Sequence, residues 1–430
     1  MSIAIIAILV LFIIFILGTI LPINIGVLGF AAAFIVGILI YGLSLDEISS
    51  VLPVKLFIFI VGMTYLFAII QKSGAVDLIA AIGLRLVNGK LGFIPWLLFA
   101  LSLVLTSVGT FGIAVVSLLA PIAFKIAFKT KTNQLMISIM MMMGMQAGAF
   151  SPLNIFGVIV NGGMQTRGFE HSPALLLLNC IIYFGIVSFI TFLLFGGVRL
   201  FKRRESTSMA YVAASKEMID EEVWIKQGKI RLDLYKGFCL ASIPVIGFLS
   251  IGFNMNLGIA AILVGLVLSF ISPDKNVGIL NVIPWEVILL VTGIFTYFRV
   301  MEKIGVMDYV TDFIADMGNP DLAALAVLYV SGFVSAFAST TAYLTSIIPM
   351  AETIFMNSHL SSIDLISAIS VSSSIVDLSP LSSAGAILLA NVQGIKERVF
   401  FRQLMMTTGI FIAFGPGLAW LLFIVIGMPW

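Results

Sequence analysis

The chain sets long apolar runs between short polar stretches, and the runs fall into a pattern that occurs twice. Apolar segments occupy about 3–20, 24–42, 54–71, 93–127, 134–163 and 173–198. After a charged stretch at 199–236, a second set occupies about 237–254, 257–272, 285–301, 321–357, 361–391 and 405–428. A helix of about 20 apolar residues crosses ~30 Å of hydrocarbon, and in lipid the backbone must satisfy its own hydrogen bonds. The pattern predicts an all-α polytopic membrane protein. With 93–127 and 321–357 read as re-entrant hairpins, about ten spanning helices remain, five in each half.

The two halves also match residue by residue. Leu52–Ala80 aligns without gaps to Ile283–Thr311, pairing Pro53 with Pro284, Gly62 with Gly293, Phe67 with Phe298, Lys72 with Lys303, Gly74 with Gly305 and Asp77 with Asp308. Farther on, Pro121 pairs with Pro349 and Ser151-Pro152-Leu153 with Ser379-Pro380-Leu381. An ordered set of such pairs indicates duplication. The expected organisation is a first repeat at 1–198 (scaffold helices 1–90, hairpin and broken helix 91–198), a cytoplasmic linker at 199–236, and a second repeat at 237–430 (scaffold helices 237–318, hairpin and broken helix 319–430). Five crossings is an odd number, so the second repeat starts on the opposite side and the repeats are inverted. With the N-terminus outside, 19 of the 23 Lys and Arg residues fall on the cytoplasmic side, as the positive-inside bias requires. Lys55, Arg167, Arg299 and Lys303 are the exceptions. Both termini are then expected on the outer side of the plasma (inner) membrane. Segments 73–90 and 304–318 mix charged and apolar residues and are expected to lie flat at the interface, as arms joining a fixed part to a moving part.

The stretches with the sharpest chemical content are Ser151–Gly157 and Ser379–Gly385. Both read Ser-Pro-Leu with a glycine six residues after the serine, and both lie within apolar segments long enough to span. Proline removes a donor and clashes with the preceding turn, so each segment is expected to be a helix broken at its middle. Unpaired backbone groups at that depth are tolerated where they line an enclosed or watery site. Broken helices at matching places in two halves point to a transporter site near the midplane.

Composition narrows the class. The chain is 60% apolar and 10% charged, with mean hydropathy +1.17. A net charge of +2 without a basic cluster points away from nucleic acid. No nucleophile–base set or metal cluster suggests an enzyme, and no cofactor is expected. Cys180 and Cys239 read as packing residues, the Met140–Met145 run as adaptable packing on a sliding helix, and His171 and His359 as loop residues. Segment 3–20 lacks a basic leader and reads as a retained helix.

Small hydroxyl-rich tips mark both hairpins, at Thr106–Gly112 and at Ala338–Ala342. Hydroxyls, glycine amides and helix N-termini suit carboxylates, whereas unwound carbonyls and the Asn154 side chain suit a hard cation such as sodium. Asp377 lies deep in an apolar helix where the first half has Ala149. A carboxylate there must be protonated, paired or cation-bound, so it is a candidate for coupling-ion binding or proton exchange, with a structural pairing to a hairpin hydroxyl as the alternative. No Arg or Lys falls within the middle of an apolar segment. A bound cation is therefore expected to neutralise an anionic substrate.

At these residues the chain resembles the ion transporter superfamily, close to the divalent anion/sodium symporters and the malonate-carrier-type permeases. In that family the hairpin tips carry Ser-Asn-Thr about ten residues before a proline, and the broken helices carry Thr/Ser-Pro. Here Ser339-Thr340-Thr341 precedes Pro349 at that spacing, with Thr in place of Asn. Counting back from Pro121 gives Phe111-Gly112-Ile113, with the polar Ser107–Thr110 just upstream. Ser151-Pro152-Leu153-Asn154 carries the broken-helix signature, and Ser382 stands where the second copy would have Asn. Sodium and proton coupling both stay open.

The resemblance implies a homodimeric, elevator-type secondary transporter of small di- or tricarboxylates, malonate- or succinate-like, with Na+ as a possible coupling ion. Candidate substrate residues are Thr110, Ser151, Pro152, Asn154, Thr340, Thr341, Ser379, Pro380, Ser382 and Ser383. Candidate cation ligands are Ser107, Gly109, Asn154, Ser339 and Asp377. A sodium/proton antiporter or an oxyanion exporter on the same scaffold is the competing expectation.

Overall fold

Apolar and small residues dominate the long segments, and helix is the conformation that leaves no backbone group unpaired in such surroundings. The computed structural model follows this throughout. It describes residues 3–21, 23–76, 78–79, 91–166, 168–202, 233–253, 255–306, 320–337, 340–356 and 360–428. Most of the interfacial arms, most of the linker and His359 lie outside the described residues.

The first half comprises α1 (Ile3–Ile20), α2 (Ile25–Phe34, continued by a wider helical turn Ile35–Ile40), α3 (Leu45–Ser50), α4 (Val54–Lys72), α5 (Ile94–Ser107), α6 (Gly112–Thr130), α7 (Gln134–Ala149), α8 (Ile155–Thr166) and α9 (Pro173–Leu194). The second half comprises α10 (Leu234–Gly252), α11 (Leu257–Ile271), α12 (Trp285–Lys303), α13 (Pro320–Phe337), α14 (Thr340–Met356), α15 (Ser362–Ser374), α16 (Ser383–Asn391) and α17 (Glu397–Trp420). The first hairpin is α5 and α6, turning at residues 108–111. Its second arm, at 19 residues, is by length and apolarity a candidate span of its own. The second hairpin is α13 and α14. Helix α17 begins eight residues ahead of the expected apolar segment, because its first turns carry Arg398 and Arg402 on exposed positions. Long cationic side chains let a helix run on past the hydrocarbon.

Both halves break their helix where proline was expected to break it. α7 ends at Ala149 and α8 starts at Ile155; α15 passes through a tight turn at Ile375–Leu378, and α16 starts at Ser383. The two turns are built alike. The Ser151 hydroxyl accepts from the Leu153 amide at 3.2 Å, and the Ser379 hydroxyl from the Leu381 amide at 3.3 Å. The Ser151 carbonyl accepts from the Asn154 amide, and the Ser379 carbonyl from the Ser382 amide, each at 2.9 Å. A Cβ on Gly157 or Gly385 would overlap the carbonyl of the motif serine. The glycine six residues after the serine therefore makes room for the turned-in chain.

These broken helices are the innermost elements. Every residue of α7 is buried, and so is every residue from Asp364 to Ser374 in α15. The methionine run fills the centre of α7. The two are tied at two levels. Near one end Gln134 donates to the Gln393 carbonyl at 2.6 Å and accepts from its amide at 3.0 Å. Near the breaks Gln146 donates to Asp377.

Helices of the two halves cross through glycines. Gly62 of α4 abuts the Gly258 carbonyl of α11, and Gly293 of α12 abuts the Gly26 carbonyl of α2, so closely that a Cβ at either position would overlap backbone. Each half supplies one glycine to each crossing, so exchanging the halves maps one crossing onto the other. The helix starts beside them correspond as well. Asn24 caps Gly26 and Val27, and Asn256 caps Gly258 and Ile259.

Candidate functional site

The first break meets the first hairpin through an amide. The Asn154 Nδ2 donates to the carbonyls of Thr106 at 2.8 Å and Thr110 at 2.9 Å. The Ser151 hydroxyl donates to the Ser107 carbonyl at 2.7 Å. These carbonyls are free to accept because the chain leaves helical geometry there, with Gly109 at φ +98° packed against the Phe67 ring. The Ser107 hydroxyl is buried without a partner among the described residues. Beside this cluster, bounded by Thr64, Phe67, Gly109 and Asn154, lies a space of about 10 Å³, enough for roughly one water-sized occupant.

The second break gathers a different set. The Asp377 carboxylate accepts from the Thr340 hydroxyl at the start of α14 and from the Gln146 Nε2 of α7. Thr340 shares a 2.8 Å hydrogen bond with Ser335 of α13, so both arms of the second hairpin reach the carboxylate. The Ser382 hydroxyl donates to the Asp377 carbonyl at 2.6 Å and caps α16 through the Gly385 amide at 3.0 Å. The Gln146 Oε1, in a residue 1% exposed, has no partner among the described residues. Carboxylate, hydroxyls and an unpartnered amide oxygen form an oxygen-rich cluster suited to a proton or a hard cation.

The large cavity lies elsewhere. It encloses about 1180 Å³ beside the first helix break, with Lys55 and Phe59 of α4, Asn256 beside α11, and Phe295 and Arg299 of α12 on one side. Pro152 of the break, then Gly157, Asn161 and Gln165 of α8, form the other. Their spacing of four places the last three on one helix face, a polar stripe that runs from the break toward the end of α8. Lys55, Arg299 and His171 all contribute to the lining, and among the described residues no Asp or Glu does. Such a wall favours anions.

Two family models match the chain. Residues 1–149 match the dicarboxylate carrier protein MatC N-terminus, and residues 245–427 match the citrate transporter family. Both describe carriers of organic acids, and between them they take in most of both halves. No curated protein matches the chain. The two matches support a dicarboxylate-carrier-type permease of the ion transporter superfamily.

Of the residues expected to bind substrate in this carrier, Pro152 alone among those described lines the large cavity. Thr110, Ser151, Asn154, Thr340 and Ser379 are each at most 5% exposed. Ser151, Asn154 and the carbonyls of Ser107 and Thr110 are held together with Gly109; Thr340, Ser382 and Asp377 form the other cluster. The Thr341 carbonyl accepts from Thr345 inside α14. Pro380 is buried in the turn, and Ser383 is exposed at the start of α16. Ser339 lies outside the described residues.

Two contributors were not expected. Gln146 is a polar residue in the methionine-rich stretch of α7, and its polarity there was the available signal. Arg299, one of the four cations that the sequence sets at the outer side, bonds across to the Thr166 carbonyl at 2.9 Å and faces the cavity. With Lys55, Arg299 thus gives the cavity cationic side chains of its own. The signal was its match to Ala68 in the first half, a charge with no counterpart.

Proposed function

We propose that the chain is a secondary active transporter of small di- or tricarboxylates, malonate- to citrate-like, driven by a sodium or proton gradient. The observation that carries this reading is the cavity. It is large enough for such an acid, is lined by Lys55, Arg299 and His171 without a carboxylate among the described residues, and reaches the Pro152 break. In this proposal the two halves are inverted repeats, a reading that the half-exchanged glycine crossings support. The scaffold holds α2, α4, α11 and α12, and the hairpins and broken helices move past it as an elevator. A bond between Gln146 and Asp377 and another between Gln134 and Gln393 favour joint movement of the two broken helices. Asp377 is the proposed coupling residue, because the second hairpin and α7 both converge on its carboxylate. A homodimer in the plasma membrane with both termini outside completes the proposal.

The deciding experiment is uptake of labelled malonate, succinate and citrate into proteoliposomes, with sodium and proton gradients imposed separately. Uptake that follows one gradient and loses that dependence in Asp377→Asn is the expected result. Silence under both gradients, with counterflow also silent, would overturn the carboxylate reading.

A further inference from the structure

We propose that Arg299 is a substrate-released latch. It holds the end of α8 through the Thr166 carbonyl until a carboxylate of a di- or tricarboxylate takes that carbonyl's place. The proposal rests on the carrier reading above and names how substrate and movement are linked at the cavity.

Three observations carry it. The guanidinium belongs to α12, which the Gly26–Gly293 crossing fixes to α2, while Thr166 is the last residue of α8, the helix that leaves the first break. The Nη2–Thr166 bond of 2.9 Å therefore joins the wall that stays to the helix that moves. Secondly, Thr166 ends its helix, where carbonyls lack intrahelical donors and the helix dipole is negative. A cation is a favourable partner there, and it is held by one oxygen. Thirdly, Glu302 accepts from Nη1 at 3.1 Å, and the same guanidinium lines the cavity with Lys55.

A carboxylate offers Nη2 a charged oxygen where Thr166 offers a neutral one, so it is the stronger acceptor. Glu302 keeps Nη1 in place during the exchange, and Nη2 changes partner. Lys55 makes no ion pair or hydrogen bond among the described residues, so its ammonium is available for a second carboxylate. Diacids, which engage both cations, release the latch; a monoacid does not hold Arg299 and Lys55 together. The position matching Arg299 in the first half is Ala68, so the device acts at one end of the stroke.

The test uses the full chain, purified into lipid nanodiscs, with Gln165→Cys as a reporter on the exposed face of α8. Cys180 and Cys239 are buried and give little background. The rate of modification by a charged methanethiosulfonate is read with and without malonate or citrate, with acetate as the monoacid control. With Arg299 present, malonate or citrate is expected to slow modification several-fold as α8 withdraws, and acetate is not. In Arg299→Gln the rate is expected to be several-fold lower before any acid is added, because α8 is no longer held. Arg299→Lys keeps a donor for Thr166 and restores the starting rate, but it lacks the fork and loses most of the malonate response. A malonate response combined with an unchanged starting rate in Arg299→Gln overturns the latch and leaves the carrier reading standing. A reporter that responds neither to diacids nor to Arg299→Gln, in a protein silent in uptake, overturns both. Equal melting temperatures for the Arg299 variants show that the rates report movement rather than misfolding.

Discussion

Asn154 turns its amide nitrogen, not its oxygen, into the first hairpin. Its two acceptors differ in what they lose without it: the Thr106 carbonyl keeps the Gly109 amide at 2.8 Å, while Asn154 is the donor that holds Thr110. Asn154→Ala should therefore strand one buried carbonyl, at a cost of about 1–3 kcal/mol. Asn154→Asp should cost more, since a carboxylate cannot donate and would face two carbonyl oxygens. Thermal unfolding of the purified variants checks this order. An Asp variant as stable as the native protein would mean that the side chain serves as an oxygen ligand instead. Asn154 and Asp377 stood out in the sequence because a polar group beside a helix-breaking proline, or an acid deep in an apolar run, is costly without a purpose. Gln146 did not, because its one local signal was polarity within a methionine run and its partner is 231 residues away. The contact of Arg299 with Thr166 was hidden for the same reason.

At the scale of elements, the glycine crossings let backbones touch where any side chain would separate them. If the halves are equivalent there, Gly62→Val and Gly293→Val should destabilise alike, each by about 1–3 kcal/mol or more. Gly185, where an added methyl would meet nothing within 4 Å, is the control, and Gly185→Ala should stabilise α9 by up to about 1 kcal/mol. Melting curves in one detergent decide the matter, and unequal losses at Gly62 and Gly293 would count against equivalence. A second link joins α3 to α12. Glu47 accepts from the Ser44 amide at 2.9 Å and pairs with Lys303 at 3.0 Å, and these contacts hold its carboxyl at about 2, below its ordinary 4.5. A carboxyl whose folded value is depressed stabilises the fold above its unfolded value and loses that contribution as pH falls from about 4.5 toward 2. Glu47 is well exposed, so the effect is small. Glu47→Gln should lower the melting temperature slightly at pH 7 and leave it unchanged from the native protein near pH 2. Helix breaks and hairpin tips were legible because proline and glycine act within a turn of their own position. The pairing of α4 with α11 and α2 with α12 was not, since apolar faces of similar composition fit many partners.

For the molecule as a whole, the cavity is a basin whose charge comes from the scaffold and whose floor belongs to the broken helix. Low-dielectric walls of one sign concentrate counter-ions and speed their arrival, and salt weakens the effect. Lys55 makes no ion pair or hydrogen bond among the described residues, so replacing it breaks none of the contacts described above and changes the field almost alone. Lys55→Glu should raise KM for malonate about tenfold at low ionic strength, leave the maximal rate close to native, and lose most of its deficit in high salt. Lys55→Gln should fall between. A field effect also predicts that citrate, with more charge, suffers more than malonate, whereas a contact that recognises one carboxylate would penalise both equally. Transport measured across a salt series for the two acids separates these cases. A Lys55→Glu deficit that ignores both salt and substrate charge would leave Lys55 only its proposed contact with the second carboxylate and no part in collecting the acid.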